Sequence, residues 1–347
     1  MAAFGGDPYR SGQQLACERD PERESRVWGD PHMTTLDGQY YSFMAAGEFT
    51  LLRVDAGRDL VQARFHPDGD SFTVVSGIAV RLGEREVVVQ LDPNTSELSA
   101  FVDGDPVDRS MAHMDEGLLD LGAVLPGATR VVTIWGVDGL RVDGVVFDGR
   151  IDISVHLPEP RWDKVSGLLG NADGRPENDL VDSNGELLRP LDGDDIYAAA
   201  FVDAHRIRLE DSMFLADETG FDYHTDETGK YPVERLGIGD FSSSLADAAR
   251  SLCREAGLDG DLLDPCIFDV LVSGDDTFAN ASAPTAPVRW PTPTCWATAS
   301  RSPTSIARRS SRPSRLATSP RSDGSSLTEP TSMSVATPTA SRRSSQR

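Results

Sequence analysis

Basic charge and cysteine are both scarce in this chain. Lysine and arginine together number 33 against 56 acidic residues, giving a formal charge of -23 over 347 residues. That balance excludes a nucleic-acid partner, because phosphate binding needs clustered cations. It suits a soluble surface and divalent cations instead. No run reaches the roughly 18 apolar residues of a membrane-crossing helix, so no transmembrane segment is expected. The start, Met1 to Asp7, has neither the basic nor the apolar part of a signal peptide, so export is not visible in the chain itself. The four cysteines, Cys17, Cys253, Cys266 and Cys295, form no CxxC pair and no metal-ligand spacing. They are too few to build a disulfide scaffold. His66, His113, His156, His205 and His224 form neither H-x-H nor H-E-x-x-H, and there is no G-x-S-x-G, P-loop or G-x-G-x-x-G context. The apolar run Gly117 to Gly122 reads as a loop edge. The chain is therefore expected not to be an enzyme.

With 39% hydrophobic residues the chain can still build a core. Short β-branched runs, several alternating with period 2, span Phe49 to Val54, Leu60 to Phe65, Phe72 to Leu82, Glu86 to Leu91, Arg130 to Val137, Leu140 to Phe147 and Arg150 to Leu157. Asp-Gly pairs at Asp68-Gly69, Asp103-Gly104, Asp138-Gly139 and Asp148-Gly149 supply the positive-φ positions that tight hairpins need. Helical spacing appears at Ser243 to Cys253 and again at Leu262 to Leu271, with a turn at Gly257 to Gly260. The expectation is a mainly β fold, an antiparallel β-sandwich or curled sheet, with a small C-terminal α-helical appendage. Beyond Pro284 only Asp323 and Glu329 are acidic, lysine is absent, and Arg, Ser, Pro, Thr and Ala dominate. This segment reads either as a disordered basic tail or as a GC-rich gene translated out of frame, and it is assigned no function.

Two blocks carry more specific information. The first is Trp28-Gly29-Asp30-Pro31-His32-Met33-Thr34-Thr35-Leu36-Asp37-Gly38, followed by Tyr40, Tyr41, Phe43 and Gly47-Glu48-Phe49. The second is Gly167-Leu168-Leu169-Gly170-Asn171-Ala172-Asp173-Gly174-Arg175-Pro176-Glu177-Asn178-Asp179. Together they resemble von Willebrand factor type D (VWD) domains, which open on a GDPH tetrapeptide and carry G-L-C-G-N-x-D-G-x-x-x-N-D downstream. Leu169 stands where that family has a cysteine, so the chain is similar to few-cysteine, bacterial-type members. Arg206 to Phe214 is similar to a strand that closes the module, and Cys253 to Phe278 to a two-cysteine helical piece. The implied boundaries are an N-terminal extension at 1–26, the VWD module at 27–214, a closing segment and helical appendage at 215–283, and the tail at 284–347.

Asn171, Asp173, Asn178 and Asp179 offer side-chain oxygens at i, i+2, i+7 and i+8 around a turn, chemistry that suits hard Ca2+. The same residues also suit a plain Asx turn. The backbone carbonyl of Arg175 would add to a calcium shell, and the resemblance implies that Asp37 joins it. In some members the Asp-Pro bond of GDPH breaks by itself. Here the Asp30 carboxylate would attack its own carbonyl while His32 protonates the Pro31 nitrogen, with a rate expected to peak between the ordinary pKa values of about 3.9 and 6.5. Cys253 and Cys266 flank the turn between the two helices and are expected to be bridged. The implied function is a non-catalytic, calcium-binding structural or adhesion module, secreted or at the cell surface, with other extracellular or cell-surface proteins as partners. Self-processing at Asp30-Pro31, and a lipid- or carbohydrate-binding module, are the alternatives.

Overall fold

The computed structural model describes residues 21–281 apart from 124–129, 183, 189–195, 198, 217–218 and 225–230. The expectations for Cys17, Cys295, the tail from 284 and most of the N-terminal extension lie outside the described residues. In chain order the strands are β1 (Glu22–Trp28), β2 (His32–Thr34), β3 (Tyr40–Ser42), β4 (Gly47–Val54), β5 (Asp59–Asp68), β6 (Phe72–Leu82), β7 (Arg85–Leu91) and β8 (Leu98–Val102). They continue as β9 (Asp105–Pro106), β10 (Met111–His113), β11 (Gly117–Ala123), β12 (Arg130–Gly136), β13 (Arg141–Val146), β14 (Ile151–Pro158) and β15 (Val165–Ser166). The helices are α1 (Ala199–His205), α2 (Ser243–Glu255), α3 (Leu263–Ser273) and α4 (Phe278–Ala281). The protein is mainly β, with a helical region at the end, as expected.

One sheet has the order β10-β11-β12-β13-β14-β1-β2-β3 and the other β15-β4-β5-β6-β7-β8-β9. Val27, Ile134, Val142 and Val155 from the first share one core with Leu51, Val61, Val80 and Val89 from the second. Period-2 alternation builds this arrangement directly, because it turns every second side chain of a strand to the same face. Strand β13 is an example, its residues alternating half-buried and buried. Each of the four Asp-Gly pairs joins consecutive antiparallel strands. At Asp103-Gly104 both residues have positive φ, 52° and 81°, the pattern of a type I′ hairpin.

Three details differ from the sequence reading. Strand β1 begins at Glu22, inside the expected N-terminal extension, because its register is set by distant β14, with Arg23 opposite Leu157. Gly117 to Gly122 belongs to strand β11, held by β12, and is not a loop edge. Arg206 to Phe214 is not a strand. It touches β4 at a single bridge, Phe49 to Arg206, turns at Leu209–Asp211, and then crosses the second sheet, where Met213 N donates to Gln62 Oε1 at 3.1 Å and Leu215 N to Gln90 Oε1 at 2.7 Å.

Helices α2 and α3 form a hairpin joined by the Cys253–Cys266 disulfide. Ser242 caps α2 by accepting from Leu245 N. Phe268 and Phe278 pack with Met44, Phe72 and Val74, which seats the hairpin on the β module. Arg150, 1% exposed, adds a polar anchor by donating to the Thr277 carbonyl at 3.1 Å while lying over the Phe278 ring at 3.9 Å. No helix among the described residues is long and apolar enough to cross a membrane.

Candidate functional site

The GDPH block is the turn of a hairpin. Trp28 pairs with His32 across β1 and β2, so Gly29, Asp30 and Pro31 form the connection. Gly29 has φ +65° and its N–H donates to Asp152 Oδ1 at 3.2 Å. A Cβ on Gly29 would lie 2.3 Å from Asp269 Oδ2, so only glycine lets this turn and α3 approach each other so closely.

Asp269 completes a buried cluster that motif reading did not find. His32 Nε2 lies 2.7 Å from Asp269 Oδ1 and 3.1 Å from Asp30 Oδ1, and all three residues are 2% exposed or less. On its other side, His32 Nδ1 meets Ser42 Oγ at 2.8 Å and the Tyr40 hydroxyl at 2.9 Å. Hydroxyls can donate or accept, so they serve either tautomer of the ring. Neither Asp30 oxygen, nor Asp269 Oδ2, receives a well-aligned hydrogen bond. Separations of 2.7 and 3.1 Å are those of N–H···O contacts. The three groups are therefore placed to share protons directly across the cluster.

Burial first, and then the facing Asp269, push the Asp30 carboxyl well above the usual aspartate range. Burial likewise lifts Asp269 to about 8, against its hydrogen bond with Asp30 and then the pull of Arg150. The same burial lowers the His32 pKa, against the attraction of Asp30. The window between 3.9 and 6.5 expected for scission is therefore not that of the folded site. It rested on solvated groups, whereas here an ionised Asp30 and a protonated His32 arise by moving a proton within the cluster. Asp269 sits in the apolar run Cys266-Ile267-Phe268-Asp269-Val270-Leu271, and a lone acid on a buried helix face is the signal that could have flagged it.

The second block lies elsewhere on the module, and its residues do come together. Asp37 Oδ2 accepts from Gly174 N at 3.0 Å and Arg175 N at 3.3 Å. Asp173 accepts from Arg175 N at 2.9 Å and from Asn178 Nδ2 at 2.9 Å. Asn171 Nδ2 donates to Asn178 Oδ1 at 3.1 Å, and Asp179 accepts from Asn171 N at 3.1 Å and from the Thr35 hydroxyl. The Arg175 carbonyl accepts from Asn178 N at 3.1 Å, closing the turn at Pro176–Asn178. Five of the six expected residues thus belong to one polar loop, and the sixth, Asp37, ties it to the Thr35–Gly38 turn. Two further residues contribute: Thr35, and Arg23, which pairs with Asp37 and lies 4.1 Å over Trp162. Burial, with Asp173 adding like charge, raises the Asp179 pKa. An all-oxygen donor set with three carboxylates is chemistry that fits calcium.

Residues 25–186 match the family model described as von Willebrand factor type D domain. The chain carries a VWD domain. Among its relatives, human Sushi domain-containing protein 2 is 27% identical over 270 residues, covering 73% of this chain and 31% of that protein. Human Mucin-4 is 28% identical over 183 residues, 49% of this chain and 3% of that protein. Bos taurus SCO-spondin is 31% identical over 180 residues, 51% of this chain and 3% of that protein. The chain therefore spans at most 31% of the length of these relatives. The VWD match includes both blocks, the Gly29–His32 turn and the Asn171–Asp179 loop.

Proposed function

We propose that this VWD module is a non-catalytic, extracellular structural or adhesion unit whose Asn171–Asp179 loop is braced by calcium. The observation that carries the reading is Asp37, which reaches from the first hairpins to the backbone of Gly174 and Arg175. An ion held by Asp37, Asn171, Asp173, Asn178, Asp179 and the Arg175 carbonyl would tie two segments far apart in sequence and relieve the crowding of acids. Relatives named as a mucin and a spondin, and the Cys253–Cys266 bridge, support an oxidising, extracellular setting and protein partners there.

Calcium in excess over its Kd by about 100-fold is expected to stabilise the module by about 2.7 kcal/mol, because it binds only the folded state. Melting of the full chain in millimolar calcium and in chelator measures this. Asp173→Ala with Asp179→Ala should erase the difference, and an unchanged wild-type melting temperature removes calcium from the account.

A second reading, self-processing at Asp30-Pro31, is favoured by the Asp30–His32 contact at 3.1 Å. The expected result is scission of the folded protein that stops in urea at the same pH and is abolished by Asp30→Asn, read as mass under denaturing conditions. Equal rates in folded and denatured chains would leave only the general lability of an Asp-Pro bond.

A further inference from the structure

The helical hairpin brings a third ionisable group to the Asp30-Pro31 bond. We infer that Asp269 is a positioning residue for scission of that bond, so that the module processes itself only while the disulfide-tied hairpin is docked; this rests on the self-processing reading. The geometry carries the inference. Asp269 Oδ1 is the nearer carboxylate neighbour of His32 Nε2, at 2.7 Å, and it holds the ring with the same nitrogen 3.1 Å from Asp30. The Asp269 carboxyl occupies the space that the absent Gly29 side chain leaves open. Gly29, Asp30 and His32 thus form one side of a slot that α3 fills.

Asp30 faces Asp269 from the β1–β2 turn and His32 from the start of β2, Arg150 from the turn before β14, Asp152 from β14, and Tyr40 from β3, with Asp264 nearer the start of α3. Two carboxyls this close do not both ionise readily. At pH 6 burial keeps both carboxyls protonated at rest, and Asp30 becomes the ionised member by passing its proton to His32, whose Nε2–H Asp269 then accepts at one oxygen. The step then balances. The Asp30 carboxylate oxygen bonds to the Asp30 carbonyl carbon, the bond to the Pro31 nitrogen breaks, and that nitrogen takes the proton from His32. The product pair is a five-membered anhydride at Asp30 and a secondary amine at Pro31. Water then adds to the anhydride and gives a proton back to His32, leaving two carboxyl groups on Asp30. Asp269 touches neither the breaking nor the forming bond. It fixes the imidazole and the charge state of Asp30.

Full-length wild type, Asp269→Asn and Asp269→Leu, incubated from pH 5 to pH 9 and analysed by mass after denaturation, test this. Wild type should cleave with a rate that falls as pH rises through about 8, where Asp269 loses its proton. Leucine keeps the branched outline without a hydrogen bond and should slow scission about 100-fold at pH 6, the cost of a misplaced catalytic group. Asparagine imitates the protonated acid, accepting with Oδ1 and donating with Nδ2, and should rescue the rate at pH 6 while removing the alkaline fall. The melting transition and a non-reducing peptide map of Cys253–Cys266 report whether each variant is folded and docked. If the leucine variant does not fold, an asparagine profile with the wild-type alkaline fall overturns the inference. Scission at the wild-type rate in folded Asp269→Leu, or asparagine as slow as leucine, overturns it too. A wild type that never cleaves while folded defeats the self-processing reading beneath it, whereas cleavage indifferent to Asp269 defeats this inference alone.

Discussion

Replacing Arg64 with methionine is expected to destabilise the module by about 3–5 kcal/mol, because it strands a buried carboxylate. Glu48 is 0% exposed and stands opposite Arg64 on the neighbouring strand. Arg64 Nε donates to Glu48 Oε1 at 2.9 Å, and its Nη2 donates to the Leu215 carbonyl at 2.9 Å. The guanidinium also lies over Phe214 at 4.8 Å and Tyr223 at 4.6 Å. The other Glu48 oxygen accepts from the Ser212 hydroxyl and lies 3.5 Å from His224 Nε2. This pair therefore pins the segment around Ser212 to His224 onto the second sheet. Removing both charges, as in Arg64→Met with Glu48→Leu, should recover much of the loss, since the penalty lies in the unpaired charge rather than in the missing pair. Urea midpoints of the single and double variants measure the coupling, and limited proteolysis reports release of the 212–224 segment. A single-variant loss below about 1 kcal/mol would mean that water reaches Glu48 and that the segment is held by its aromatic contacts alone.

Glu48 shows what a sequence can and cannot reveal. Its place in Gly47-Glu48-Phe49 marks the family, yet nothing local says that the acid is buried or that Arg64 meets it. Strands β4 to β7 and β12 to β14 were legible because alternation and Asp-Gly turns are local signals. Strand β1, Glu22-Arg23-Glu24-Ser25-Arg26-Val27-Trp28, begins with charged residues, and its partner β14 lies some 130 positions away in sequence, so its pairing leaves no local trace. Strand β11 is rich in Leu, Gly and Asp and poor in β-branched residues, so propensity favours a loop and only pairing with β12 makes it a strand.

The candidate sites divide in the same way. Asn171, Asp173, Asn178 and Asp179 sit in one turn and could be read from their spacing. Asp37 joined them only through the family resemblance, since 137 residues separate it from Gly174. Asp30 and His32 were legible as a motif. Asp269, 237 residues beyond His32, was not, because its meaning depends on how the helical hairpin docks. The ordinary pKa values assigned to Asp30 and His32 failed for a related reason, since burial is a property of the fold and not of the tetrapeptide.

The folded module is expected to lose stability as pH rises from 6.5 to 8.5, opposite to the behaviour of a paired aspartate. Asp269 rises to about 8 because burial penalises its charge, and Asp30 and Asp152 are raised for the same first reason. In the unfolded chain these acids ionise near 3.8. Between the unfolded and folded values the native state binds more protons than the denatured one, so stability falls as pH rises. Their contribution is fully present below pH 3.8 and is lost as pH passes about 8. Histidine opposes this at lower pH. His32 is depressed, and His205 is lowered to about 4, both by burial, so stability that they contribute is lost as pH falls below 6.5. Above pH 6.5 unfolded histidine is mostly neutral too, and the raised carboxyls act alone in that range. Each one that stays protonated to pH 8 contributes a loss of about 2 kcal/mol over this interval, at 1.36 kcal/mol per pH unit per proton. Urea denaturation at pH 6.5, 7.5 and 8.5 measures the slope, and Asp269→Asn, which cannot ionise, should flatten it. A slope of zero or of opposite sign would mean that Asp30 and Asp269 are already ionised at neutral pH. In that case no proton is available to pass from Asp30 to His32 inside the cluster, and the Asp269 carboxylate would compete with Asp30 for the imidazolium rather than support it.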